Sequence, residues 1–157
     1  PVSKINWYEA ADYCHLIGKS LLSEAQRERA AGNGDGCQFP WGDGFDLMKP
    51  LARGGLKLRD KAIEVGSFPA NSSGIHDMAG NVWEWVADWF SVKFYYTDIL
   101  HNPRGPTRGV MKVRRGGSWS DSVVAMTSGY RDWSYPFSRG FNDIGFRCAI
   151  NLKPKRD

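Results

Sequence analysis

Apolar positions recur at helical spacing near the start of the chain and at alternate spacing towards its end. Trp7, Ala10, Ala11, Cys14 and Ile17 form one stripe with a period near 3.6 residues, which predicts an amphipathic helix. Asn6 is placed to cap it, Glu9 to return the bond, and Gly18 to end it in the left-handed region. His15 lies off the stripe and is expected at the surface. Ser23-Glu-Ala-Gln26 repeats the capping pattern, and Gly32 closes a second helix of about two turns. Lys19 to Leu22 reads as the link between them.

Helical signal then stops. Gly32-Asn-Gly-Asp-Gly36 reads as a loop, because glycine at alternate positions loses too much backbone entropy in regular structure. Phe39-Pro-Trp-Gly-Asp-Gly44 is irregular, with Trp41 expected to be buried. Residues 46–62 read as a long surface loop, and Glu64 to Pro69 as a short strand entering a turn. Trp83 and Trp85 alternate as in a strand, which sends Glu84 to the opposite face, into solvent or onto a partner. Asp88 to Tyr96 reads as an aromatic loop, and Pro103, Gly105 and Pro106 mark another. Val110 to Trp119 is a strand broken at Gly116-Gly117, and Gly145 to Ile150 is the last strand. The expectation is a single irregular α+β domain over 1–157: two short helices, short antiparallel strands and high loop content.

Composition narrows the class. Hydrophobic residues make up 41% and aromatic ones 13%, which is globular with a surplus of rings. No apolar run approaches the roughly 18 residues of a membrane span. The net charge is +4, concentrated at Arg104, Arg108, Lys112, Arg114 and Arg115 and in a tail of Lys153, Lys155 and Arg156. Acidic residues are spread through the rest, so no single basic face forms and no nucleic-acid partner is expected. Cys14, Cys37 and Cys148 are odd in number and suit small buried thiols better than a disulfide framework, with room for one bridge such as Cys14 to Cys148. His15, His76 and His101 have no metal-ligand spacing. Asn71-Ser-Ser73 fits a glycosylation acceptor.

A resemblance extends through nearly the whole chain. Pro1-Val2 with Asn6-Trp-Tyr-Glu-Ala-Ala-Asp-Tyr-Cys14, then Leu21-Leu-Ser-Glu-Ala-Gln26 and Phe39-Pro-Trp-Gly42, resemble successive elements of the formylglycine-generating-enzyme (sulfatase-modifying-factor) family. Gly74-Ile-His-Asp-Met-Ala-Gly-Asn-Val-Trp-Glu-Trp85, Arg114-Arg-Gly-Gly-Ser-Trp119 and Gly145-Phe-Arg147 match the remainder in order. The resemblance implies a C-type-lectin-like fold and further residues before the Pro-Val position. The oxidase members use a cysteine pair at positions that here are Asp121 and Met126. Neither residue forms a thiolate or exchanges a disulfide, so formylglycine-forming activity is not expected.

One branch with the same motif pair is the variable protein of diversity-generating retroelements, in which AAC codons between the motifs mutate at adenine. That resemblance implies a binding region over 114–148. Its changeable positions are Ser120, Asp121, Ser122, Ala125, Tyr130, Asp132, Ser134, Tyr135, Ser138, Gly140, Phe141, Asn142 and Asp143. Lys, Glu, Gln, Met and Trp cannot be reached from AAC by changing adenines, and none occurs at those positions. Val123, Val124 and Thr127 depart from the pattern. Tyr, Ser, Gly and Asn are also the residues paratopes use, Tyr for rigid contact area and Ser and Asn for adaptable hydrogen bonds. Arg131, Pro136 and Arg139 resemble framework positions. Trp119 and Phe137 are expected in the core, and Tyr130, Tyr135 and Phe141 at the surface. The partner implied is a protein or cell-surface structure, in a surface-displayed, secreted or virion-associated setting. The alternatives are a cysteine-less relative acting as a regulatory or scaffolding subunit, or a carbohydrate binder. The family also implies a Ca²⁺ site, which maps onto Asp77, Gly80, Val82 and Glu84; no organic cofactor is implied.

Overall fold

The two capping signals are realised as written. In the computed structural model, which describes residues 1–32, 34–44, 61–96, 101–139 and 141–150, helix α1 runs Trp7–Leu16 and helix α2 runs Glu24–Ala31. Asn6 and Glu9 close one capping box, and Ser23 and Gln26 the other. Gly18 follows α1 at φ +72. The loop read over 46–62 lies, apart from residues 61 and 62, outside the described residues, as do Gly140 and the basic tail.

The link between the helices contains strand β1 (Ser20–Leu21). Strands β2 (Trp83–Trp89), β3 (Lys112–Arg115), β4 (Arg131–Ser134), β5 (Ile144–Phe146) and β6 (Cys148–Ala149) follow. Four of them form a sheet in the order β4-β3-β2-β5, and β1 pairs with β6. The pairs β2–β3 and β3–β4 are antiparallel, whereas β2–β5 is parallel, with Trp83 opposite Ile144. The expected final strand is therefore two strands. The chain leaves one sheet for the other at Arg147, whose side chain turns back to Glu84 with Nε donating to Oε1 at 2.7 Å.

Other expectations need correction. No strand forms over 64–69; Gly66 sits at φ +75 in a turn, and its N–H is taken by Asp77 Oδ2 rather than by a ladder. Trp41 is only half-buried; the ring that goes inside is Phe39, with Trp41 stacked on it at 4.8 Å. The one bridge for which the cysteine count left room is present: Cys14 and Cys148 are joined in a disulfide that ties α1 to β6, and Cys37 is a free thiol. The Asn71 side chain closes a turn, accepting from the N–H groups of Ser73 and Ile75 and donating to the Ala30 carbonyl.

The core lies between α1 and the larger sheet. Ala10, Cys14, Leu21, Trp83, Trp85, Ala125 and Ile144 form one buried cluster. Trp83 and Trp85 are each 1% exposed. Each ring system removes on the order of 200 Å² from water, so these two residues anchor the platform on which 114–148 rests. Among the described residues no helix is long and apolar enough to cross a membrane.

Candidate binding site

Beyond β3 the chain turns at Gly116 and Gly117, both at positive φ, into a polar knot. Asp121 Oδ2 accepts from the Ser118 N–H at 3.1 Å and from the Ser118 hydroxyl, which lies 3.0 Å from Ser120 Oγ. Asp143 Oδ2 stands 3.5 Å from both hydroxyls. Asp121, expected at the position of the first family cysteine, thus shapes a turn. Met126, expected at the second, is fully buried in a 3₁₀ turn.

The chain then returns along β4 at the margin of the sheet. Trp133, Tyr135 and Phe137 are 40%, 54% and 73% exposed, while Ser134 and Pro136 between them are buried. This is strand alternation carried past the end of β4, and it gives a row of three outward rings. Phe137 is therefore not core. Pro136 is held inward, its carbonyl accepting from the Trp7 N–H at 3.0 Å, so Phe137 must face out, where it packs on Tyr8 at 4.7 Å. Tyr130 and Phe141 are exposed as expected, and Trp119 is half-buried.

The positions expected to change divide by environment. Ser122, Tyr130, Tyr135, Phe141 and Asn142 are exposed, and Ser120, Asp121, Asp132, Ser138 and Asp143 are half-buried. Ala125 and Ser134 are buried, so they cannot touch a partner directly: Ala125 belongs to the core cluster, and Ser134 is an inward position of β4. Gly140 lies outside the described residues. Several residues that the sequence reading did not assign to this region brace the segment. Tyr8 packs on Phe137, Glu9 pairs with Arg139, and the Lys4 N–H donates to the Phe141 carbonyl. Glu9 and Arg139 are 130 residues apart, a separation that no local pattern encodes.

The cation-binding expectation falls on a cavity of about 390 Å³ lined by Asp77, Gly80, Val82 and Glu84, together with Phe146 and Arg147. Asp77 Oδ1 is buried without a partner. Glu84 sits between two guanidiniums, Arg27 Nε at 3.1 Å from Oε2 and Arg147 Nε at 2.7 Å from Oε1. Burial alone would raise the Glu84 pKa, but Arg147 and Arg27 outweigh it and hold the carboxyl below its usual range. Burial draws the Arg27 guanidinium down to about 10, so it stays charged at neutral pH. A hard cation finds one spare carboxylate oxygen here, on Asp77, and a second carboxylate already neutralised. The residues fit Ca²⁺ in part, and among the described residues no three His, Cys, Asp or Glu side chains converge.

Comparison with known proteins places this geometry. The family described as "Sulfatase-modifying factor enzyme 1-like domain" matches residues 1–152. The chain is 37% identical over 156 residues to serine/threonine-protein kinase Pkn1 of Chlamydia trachomatis serovar L2, covering 98% of this chain and 24% of the kinase. It is 31% identical over 172 residues to the formylglycine-generating enzyme of Mus musculus, covering 100% of this chain and 46% of the enzyme. The chain thus spans less than half the length of either relative. PvdO from Pseudomonas aeruginosa superposes with a TM-score of 0.81 at 31% identity, over 97% of this chain and 62% of that one. Treponema denticola variable protein 1 superposes with a TM-score of 0.73 at 25% identity, over 93% of this chain and 69% of that one. The irregular α+β architecture is the C-type-lectin-like fold of the formylglycine-generating type.

Proposed function

We propose that this chain, which belongs to the sulfatase-modifying factor enzyme 1-like family, is a non-enzymatic binding module that presents residues 120–143 to a protein or cell-surface target. The observation that carries this reading is the outward row of Trp133, Tyr135 and Phe137, flanked by Tyr130 and Phe141. Large rings left exposed together mark an interaction surface, because aromatic anchors buried against a partner carry much of the binding free energy of an interface. Asp121 and Met126 in place of the oxidase cysteines support the absence of oxidase chemistry. The relative named "Inactive C-alpha-formylglycine-generating enzyme 2" of Mus musculus is a family member whose own name marks it inactive.

In the finer form of the proposal, a diversity-generating retroelement rewrites this surface. The likeness to Treponema denticola variable protein 1 and the AAC-reachable residue types support that form. A surface-displayed, secreted or virion-associated setting goes with it, and the Cys14–Cys148 disulfide suits an oxidising compartment. Ca²⁺ at Asp77, Gly80, Val82 and Glu84 rests on the partnerless Asp77 oxygen. A chelator that lowers the melting temperature supports the ion, and an unchanged melt removes it. A second reading, a regulatory module of a larger signalling protein, is favoured by the match to a kinase of which this chain spans 24%.

The test compares the chain with its Trp133→Ser/Tyr135→Ser/Phe137→Ser variant on arrays of immobilised bacterial surface proteins and of glycans. Retention on a protein that the triple variant loses, at unchanged melting temperature, supports the proposal. Calcium-dependent retention on glycans would replace the protein target by a carbohydrate. Equal retention of both forms overturns the proposed surface.

A further inference from the structure

The presented segment is held from below by a residue far from it in sequence. Glu24, the first residue of α2, is 1% exposed. Its carboxylate takes Arg131 in a two-point grip, Nε to Oε1 at 2.7 Å and Nη2 to Oε2 at 2.9 Å, across a separation of 107 residues. Two parallel N–H···O bonds fix the angle of a guanidinium as well as its distance. The same carboxylate lies 3.5 Å from Arg115, whose side chain is fully buried and whose hydrogen-bonded carboxylate is that of Glu28, one turn further along α2. Arg115 in turn donates to the carbonyls of Ser128, Gly129 and Tyr130 at 2.9, 2.9 and 2.6 Å. Those three carbonyls belong to the turn that leads into β4. The Glu24 backbone is itself fixed, its N–H donating to Asp88 Oδ2 at 2.8 Å. The Arg131 guanidinium is further sandwiched, 5.1 Å from the Phe90 ring and 4.7 Å from that of Tyr95.

We propose that Glu24 is a positioning residue for the presented surface: by clamping Arg131 directly and facing Arg115, it sets the backbone course of 128–134 and hence the direction of the Tyr130, Trp133 and Tyr135 rings. This rests on the binding-module reading for its purpose, though not for its physics. A displayed segment whose outward residues vary needs its shape fixed by inward residues that do not. Arg115 is fully buried and Arg131 half-buried, and the Glu24 carboxylate lies against both. Rigidity imposed before binding lowers the entropy lost on association, which is how a shallow aromatic surface gains affinity.

The test is amide hydrogen exchange on the free protein, read as the ratio of exchange at Ser128 and Tyr130 to exchange at the central β2 amides. Glu24→Gln keeps the size of the side chain and removes its charge. It should raise that ratio roughly tenfold or more. Glu84→Gln, which neutralises a buried carboxylate on β2 itself, should lower the melting temperature and leave the ratio no higher, because it loosens the reference amides. Arg131→Gln should reproduce the Glu24→Gln ratio, and the double variant should add little to either, as expected of one coupled unit. An unchanged ratio in Glu24→Gln, or an equal rise in Glu84→Gln, overturns the proposal. Because no ligand enters this experiment, its outcome is separate from that of the array: a rigid clamp on a surface that binds nothing would leave Glu24 in place and remove the binding module.

Discussion

Glu84 shows what a single residue carries here. It is buried between Arg27, itself 1% exposed, and Arg147. Removing it leaves Arg27 as an uncompensated buried charge. Glu84→Ala should therefore lose about 3–5 kcal/mol of unfolding free energy, read by urea denaturation. Asp88 gives a pH dependence of opposite origin. Burial raises its carboxyl to about 6, above an unfolded value near 4. A raised acid favours the fold while protonated, so this contribution is full below about pH 4 and disappears as pH rises through about 6. Asp88→Asn, which keeps an acceptor for the Glu24 N–H, should gain stability relative to the parent as pH is raised from 4 to 6.5. A flat difference across that range would contradict the assignment. At this scale the sequence was legible where partners are three residues apart, as in the two capping boxes. It was silent on Glu84's partners, which lie 57 and 63 residues away.

Elements were legible where a periodic stripe coincided with a cap, and obscure where pairing alone defines them. Ser20–Leu21 and Cys148–Ala149 are strands only because they find each other, and neither is long enough to show alternation. Arg131–Ser134 was hidden because it lies within the segment read as displayed, where polar and aromatic residues mask its alternation. Residues 64–69 look like a strand by composition, but Gly66 at positive φ turns them. The Gly116-Gly117 break was visible, and its reason is steric. A Cβ on Gly116, which sits at φ +99, would run into the Arg27 guanidinium and press on the Met78 carbonyl that this guanidinium bonds. Gly18 has a similar φ of +72 and open space around it. Gly116→Ala should therefore be the more destabilising of the two. Gly18→Ala should lose about 1 kcal/mol from backbone strain alone, and Gly116→Ala should exceed that by disturbing Arg27. Equal losses in thermal melts would show that the Arg27 contact does not matter.

The whole molecule is closed on itself by one covalent link. Cys14–Cys148 spans 134 residues, and it joins the first helix to the last described strand. Reduction should lower stability by about 2–4 kcal/mol, read as a fall in melting temperature with added reductant. The same experiment on Cys37→Ser should give the same fall, because Cys37 takes no part in the bridge. The platform was legible at this scale because its motifs span the chain in order; the exposed face was legible only in part, since Ala125 and Ser134 turn inward and Tyr8 joins from outside the segment. The most direct measurement is to sequence the codons for residues 114–148, with the adjoining DNA, in several isolates. A diversified binding module predicts replacements confined to the changeable positions, arising at adenines, beside a near-identical AAC-rich template and a reverse-transcriptase gene. Replacements spread evenly through 114–148, with no template nearby, would contradict it.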